Sequence, residues 1–202
     1  MSFWENTRKP EGLGGKLMVS LMNLGHSPVA RWGLRFLNVA PDAKVLDCGC
    51  GGGANIKRLL KKCPQGIVKG IDYSPVSVEK SQKVNADAIA KGRCTILQGS
   101  VAKRIFAEGW FDAVTAFETV YFWPELPQCF HEIHRMLKPG GMFLICNESS
   151  GDTDKDEKWT KIIDGMTIYK DVELKAELEQ AGFRDVQIHK NKWGWLCVTA
   201  RK

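Results

Sequence analysis

In Val45-Leu46-Asp47-Cys48-Gly49-Cys50-Gly51-Gly52-Gly53-Ala54-Asn55 an apolar run that reads as a buried strand breaks into glycines and then passes into a helix. Glycines at such a junction let the backbone turn sharply and approach a ligand with no Cβ in the way. The spacing alone leaves two readings open. Ala54 completes the G-x-G-x-x-A pattern of a dinucleotide fingerprint, and Asp72 stands near the distance expected of a ribose-binding acid. Asp47 argues against a pyrophosphate. A carboxylate just before the glycines would face a second anion at short range, at a cost of several kcal/mol for an effective dielectric of about 20. A ligand with a cationic end suits the acid better.

Outward from this stretch, strand-like runs at 44–48, 67–71, 94–98, 111–117, 142–147, 185–189 and 194–199 alternate with helical patterns at 53–63, 75–91, 101–107, 124–137 and 171–182. Such alternation predicts parallel strands joined by right-handed crossovers. Only Lys190-Asn191-Lys192-Trp193 separates the last two runs, too few residues for a crossover, so they are expected as an antiparallel pair. The expected fold is α/β, a doubly wound and mostly parallel seven-stranded sheet with a C-terminal antiparallel strand pair. Ahead of it, 15–25 and the segment opened by Ser27-Pro28 read as helices. The second carries Val29, Trp32, Leu34, Phe36 and Leu37 and is expected to end before Pro41. Residues 1–40 are therefore expected as an N-terminal helical cap, not an independent domain, and residues 41–202 as the ligand-binding domain.

The 202 residues, 44% hydrophobic and 26% charged, match one globular domain and exclude a disordered chain. The net charge of +6 is spread among interleaved signs. The basic stretch Lys57-Arg58 with Lys61-Lys62 closes a helix, where cations complement the dipole, and reads as a solvated face, so no nucleic-acid partner is expected. Seven cysteines, with no C-x-x-C pair, read as reduced thiols of a cytoplasmic protein. No run approaches the ~18 apolar residues of a membrane span. His131 and His134 have no acid or thiol at ligand spacing and read as packing residues, so no metal is expected.

Asp47-x-Gly49-x-Gly51-x-Gly53 resembles the acidic-x-G-x-G-x-G signature of class I methyltransferases, which use S-adenosylmethionine. Other pieces stand in that family's order. Gly70-Ile71-Asp72-Tyr73-Ser74 resembles the end of its second strand, and Gln98-Gly99-Ser100-Val101 its adenine-reading stretch. Phe111-Asp112-Ala113-Val114-Thr115-Ala116-Phe117 resembles its fourth strand, and Leu137-Lys138-Pro139-Gly140-Gly141 the turn before its fifth. The resemblance covers about residues 43–202. It implies S-adenosylmethionine as cofactor, bound by Asp47, Gly49, Gly51, Gly53, Asp72, Tyr73, Gly99, Ser100, Val101 and Phe117, with Asp72 accepting from both ribose hydroxyls. Ser100 departs from the aspartate often found there. A hydroxyl can still accept from the adenine amino group, and the same serine fits as N-cap of a helix at 101–107.

In an open α/β sheet a ligand lies beyond the carboxyl ends of the strands, where the strand order reverses. Glu118 and Tyr121 follow the fourth strand, and Glu148 follows the fifth. Phe122 and Trp123 fit either the pocket or the start of the next helix. In relatives of the family an N-terminal extension caps the active site, which brings His26 near the substrate. Glu118, Tyr121 and His26 are the candidate catalytic residues, with Glu148 a further candidate base, and His26 and Tyr121 are expected to face each other. Relatives that act on nucleic-acid amines carry Asn/Asp-Pro-Pro-Tyr/Phe where this chain has Phe117-Glu118-Thr119-Val120, so a small-molecule acceptor is implied. The function expected is in-line methyl transfer to such an acceptor. Two alternatives stay open: a non-catalytic S-adenosylmethionine-binding protein, and a nicotinamide-dependent reductase, against which stand Asp47 and the lack of a Tyr-x-x-x-Lys pair.

Overall fold

A computed structural model describes residues 25–202. Seven strands form one sheet in the order β3-β2-β1-β4-β5-β7-β6. They are β1 Lys44–Cys48, β2 Ile67–Asp72, β3 Cys94–Gln98, β4 Phe111–Phe117, β5 Leu137–Asn147, β6 Arg184–Lys190 and β7 Leu196–Arg201. The first five run parallel, and β7 is antiparallel to both β5 and β6. The doubly wound sheet read from the alternation is thus present, with β7 inserted between β5 and the edge strand β6. From β1 the chain steps outward to β2 and β3, and from β4 outward to β5. The carboxyl ends of β1 and β4 therefore flank the point where strand order reverses.

Helices α1 Ser27–Gly33, α2 Ala54–Lys62, α3 Pro75–Val84, α4 Ala86–Ala90, α5 Leu126–Met136, α6 Asp154–Ile162 and α7 Asp171–Gln180 surround the sheet, with a 3-10 turn at Val120–Phe122. The central strands are apolar on both faces because both are covered. On one face Val45, Val68, Ala113 and Leu144 pack with Val29 of α1 and with Ile56 and Leu59 of α2. On the other, Leu46, Val114, Phe143 and Ile145 pack with Phe130 and Ile133 of α5 and with Leu174 and Leu178 of α7. Each large apolar side chain so buried contributes about 1.5–3 kcal/mol. Among the described residues no helix is long and apolar enough to cross a membrane.

Several expected elements differ. The helix read at 101–107 does not form. Ser100 Oγ accepts from the Ala102 N–H (3.3 Å) and Ser100 O from the Lys103 N–H (3.0 Å), which caps only a turn. Val101 and Phe106 both enter the core, and Ile105 fills the space over Gly99. That burial outweighs the marginal stability of a two-turn helix. The helix read at 75–91 divides at Asn85, whose Nδ2 donates to Gly53 O (3.1 Å) and Ser81 O (2.9 Å). The second N-terminal helix stops at Gly33, where an added Cβ would meet Cys146 Sγ at 2.4 Å. β5 begins at Leu137, in what reads as the end of a helix. Helix α6 has no apolar stripe to announce it; a capping box between Thr153 and Asp156 starts it. The helix read at 15–25 lies almost wholly outside the described residues.

Candidate functional site

A cleft of about 380 Å³ opens at the carboxyl ends of β1 and β4. Its floor is the glycine loop. Gly49 N–H and Cys50 N–H both donate to Ile71 O (2.8 and 3.0 Å), which folds the loop back toward β2. Gly49 has φ +71°, and a Cβ there would lie 2.0 Å from Thr119 Oγ1. Gly51 has φ +51° with open space where its Cβ would project. One glycine allows two loops to touch, and the other leaves room at the cleft surface.

Asp72 ends β2 and is 7% exposed. Its Oδ2 accepts from Gly51 N–H (2.8 Å) and its Oδ1 from Ser74 N–H (2.9 Å). Each oxygen keeps capacity for a further hydrogen bond, so the carboxylate is locked in place yet able to accept from a pair of neighbouring hydroxyls. Burial raises its pKa, and the two N–H groups oppose the rise. Tyr73, Gly99, Ser100, Val101 and Phe117 complete this end of the wall. The open cradle over Gly51 beside a fixed acid fits a nucleoside with a free ribose.

Three residues read for the site stand behind its wall. Asp47 is 1% exposed, and its Oδ1 accepts from the Thr115 hydroxyl (2.8 Å). Burial pushes its pKa up to about 7. Gly53 lies under Ser81 and Asn85 at the start of α2. Tyr121 is 3% exposed, and its hydroxyl accepts from Ser149 N–H (3.0 Å) and adjoins Glu118. Tyr121 is not among the residues that line the cleft, and it is Glu118 whose carboxyl group comes within 4.8 Å of His26.

The opposite end of the cleft is acidic. Glu118 follows β4 with φ +58°, a left-handed conformation that costs a non-glycine residue about 1–2 kcal/mol. Its N–H donates to Cys146 O (3.0 Å), and its carboxylate accepts from Glu148 N–H. His26 stands just ahead of α1, where Arg58 Nη2 donates to Ser27 Oγ (2.5 Å). Ligand atoms of His26, Glu118 and Glu148 all lie within 4.8 Å of one another. Burial, and next the Glu148 charge, hold the Glu118 pKa well above the carboxylate range, and burial raises Glu148. Burial lowers the His26 pKa, which favours the neutral imidazole. Between the two ends, Phe122, Trp123 and Pro124 line an apolar wall.

The sequence pattern places Arg58 on a solvated helix face. Instead it lines the cleft, bonded to Asn55 Oδ1 (2.7 Å) as well as Ser27. The Asn55–Arg58 spacing of one helical turn was the available signal. Thr119, which also lines the cleft, carries no sequence mark of its own.

Residues 46–145 match a family model described as a methyltransferase domain. The cycloartenol-C-24-methyltransferase of Arabidopsis thaliana is 30% identical over 159 residues, covering 73% of this chain and 46% of that protein. The chain spans less than half the length of the relatives named cycloartenol and 24-methylenesterol methyltransferases. A SAM-dependent methyltransferase from Aquifex aeolicus has the same fold, with a TM-score of 0.73 at 19% identity over 91% of this chain and 97% of that one. The geranyl diphosphate C-methyltransferase of Streptomyces coelicolor A3(2), solved with S-adenosyl-L-homocysteine, gives 0.75 at 15% identity over 87% and 75%.

Proposed function

Because this chain belongs to the class I methyltransferases that use S-adenosylmethionine, we propose that it transfers the methyl group of that donor to a small-molecule acceptor by in-line displacement. The observation that carries the reading is a single cleft that joins the glycine loop and Asp72 at one end to His26 and Glu118 at the other. Bound there, the donor supplies a methyl group already activated by a sulfonium. Asp72 takes the ribose hydroxyls, the main chain at Gly49 and Gly51 allows close approach, and Tyr73, Ser100 and Val101 flank the base. Asp47, behind the wall, acts through its field rather than by contact.

Phe122, Trp123 and Pro124 seat the apolar part of the acceptor and exclude water. The relatives named for sterols and for geranyl diphosphate support a small acceptor with such a part. The polar end turns the acceptor's nucleophilic atom toward the methyl group, and His26 or a carboxylate oxygen of Glu118 receives a proton where the acceptor must lose one. Holding the two reactants close and in line can supply up to about 7–11 kcal/mol of the barrier reduction. Of the cap expected over residues 1–40 only residues 25–40 are described, and there α1 packs on the sheet and brings His26 to the cleft. Seven free, buried cysteines support a reducing, cytoplasmic setting.

The test is transfer from methyl-labelled donor to a panel of small hydroxylated, enolic and isoprenoid compounds. The wild type should label at least one compound, and Asp72→Ala should lose that labelling. Stoichiometric donor binding with no labelled product would instead support the non-catalytic alternative.

A further inference from the structure

We propose that His26, Glu118 and Glu148 hold a divalent metal ion at the acceptor end of the cleft, and that the acceptor presents an oxygen to it. The acceptor part of this inference rests on the methyl-transfer reading; the ion site does not.

Three elements converge on the site. His26 stands ahead of α1, Glu118 follows β4, and Glu148 follows β5. Their ligand atoms lie within 4.8 Å of one another. Three ligands at about 2.1 Å from one ion lie about 3.0–3.6 Å from one another, so side-chain adjustments on the order of an ångström close the set. All three side chains are partly buried. The His26 imidazole and the Glu148 carboxylate make no hydrogen bond to another described residue, and neither glutamate forms an ion pair with a described basic residue. Two carboxyl groups and an imidazole thus converge in a partly buried pocket, and no described basic side chain is paired with either carboxyl group.

The neighbours fix the arrangement. Glu148 N–H donates to Glu118, the Tyr121 hydroxyl adjoins Glu118 from behind, and Arg58 anchors Ser27 next to His26. Hydrogen bonds of this kind orient ligands around metal ions. One imidazole and two carboxylates suit Mn²⁺, Fe²⁺ or Zn²⁺ better than the softer ions that thiolates select. Three protein ligands leave positions open, as in catalytic rather than structural sites. His26 and Glu118 line the cleft, so an open position faces the acceptor. A hydroxyl, enol or carboxyl oxygen of the acceptor would complete the coordination, and a carboxylate oxygen not engaged by the ion remains able to receive its proton.

The test is titration of the full chain with Mn²⁺, followed by the loss of the free-ion electron paramagnetic resonance signal. Mn²⁺ is chosen because the seven thiols attract it weakly. The wild type should bind one Mn²⁺ per chain, and His26→Ala and Glu148→Gln should each weaken it at least about tenfold. Thermal melts and donor calorimetry on the same variants separate a lost ligand from a lost fold, and Glu148→Asp, which keeps the carboxylate, should bind more tightly than Glu148→Gln. No Mn²⁺ binding by the folded wild type, or binding that all three variants leave unchanged, overturns the site. Donor binding without Mn²⁺ would leave the methyltransferase reading standing alone; Mn²⁺ binding without donor would overturn that reading and keep the ion site.

Discussion

Replacing Gly49 and Gly51 by alanine, one at a time, separates what the loop contributes to folding from what it contributes to the donor. Both hold left-handed backbone, φ +71° and +51°, so each alanine costs about 1–2 kcal/mol. At position 49 the new Cβ also meets Thr119 Oγ1 at 2.0 Å and Thr119 Cβ at 2.7 Å. Rotating the threonine cannot clear its own Cβ, and moving it disturbs the bond that Oγ1 accepts from Trp123 Nε1 (3.2 Å). Overpacking adds about 1–3 kcal/mol, for a total of about 2–5 kcal/mol. At position 51 nothing lies within 4 Å, so only the backbone cost applies, and the methyl group stands at the cleft surface. Urea unfolding measures the stabilities and calorimetry the donor affinities. Gly49→Ala should lose about 2–5 kcal/mol of stability. Gly51→Ala should lose no more than about 2 kcal/mol yet bind donor at least about tenfold more weakly. Equal losses of stability, or wild-type donor affinity in Gly51→Ala, would refute the division of labour.

Asp47 gives a pH signature. Its folded pKa, about 7, lies above the ordinary 3.8, so the folded chain holds this proton more tightly than the unfolded one. Its contribution is therefore most favourable below about pH 4, declines as pH rises to about 7, and is flat above, a span on the order of 4 kcal/mol. The stability of Asp47→Asn relative to wild type should accordingly rise between pH 4 and 7 in denaturant titrations; a difference independent of pH would contradict the burial argument. Tyr121→Phe should cost about 1–3 kcal/mol, since it leaves the buried Ser149 N–H without its 3.0 Å acceptor, with donor affinity unchanged. A variant of wild-type stability that lost donor would place Tyr121 on the cleft wall after all.

What the sequence made legible was local. Runs such as Val45-Leu46 and Phe143-Leu144-Ile145 mark strands because a strand covered on both faces has to be apolar throughout. The break at Gly49–Gly53 marks the loop because strand, turn and helix are contiguous there. Asp72 was legible for the same reason, one strand further on. Contacts between distant segments were not. Arg58 meets Ser27 across 31 residues, Glu118 meets Glu148 across 30, and Tyr121 meets Ser149 across 28. Periodicity states which face of an element is apolar, but not which loop will stand opposite, so it leaves Tyr121 expected in the pocket and Arg58 outside it. Helix α6 escaped for a different reason: its capping box, rather than an apolar stripe, defines it.

The most direct test of donor binding at Asp72 is calorimetric titration of S-adenosylmethionine into the wild type and into Asp72→Asn. The wild type should bind one equivalent, displaced by S-adenosyl-L-homocysteine and not by NAD. The folded variant, with the charge removed but the shape kept, should bind more weakly by roughly 1.5–3 kcal/mol, about tenfold to 150-fold. Unchanged affinity in the variant, or tight NAD binding with none of S-adenosylmethionine, would contradict it.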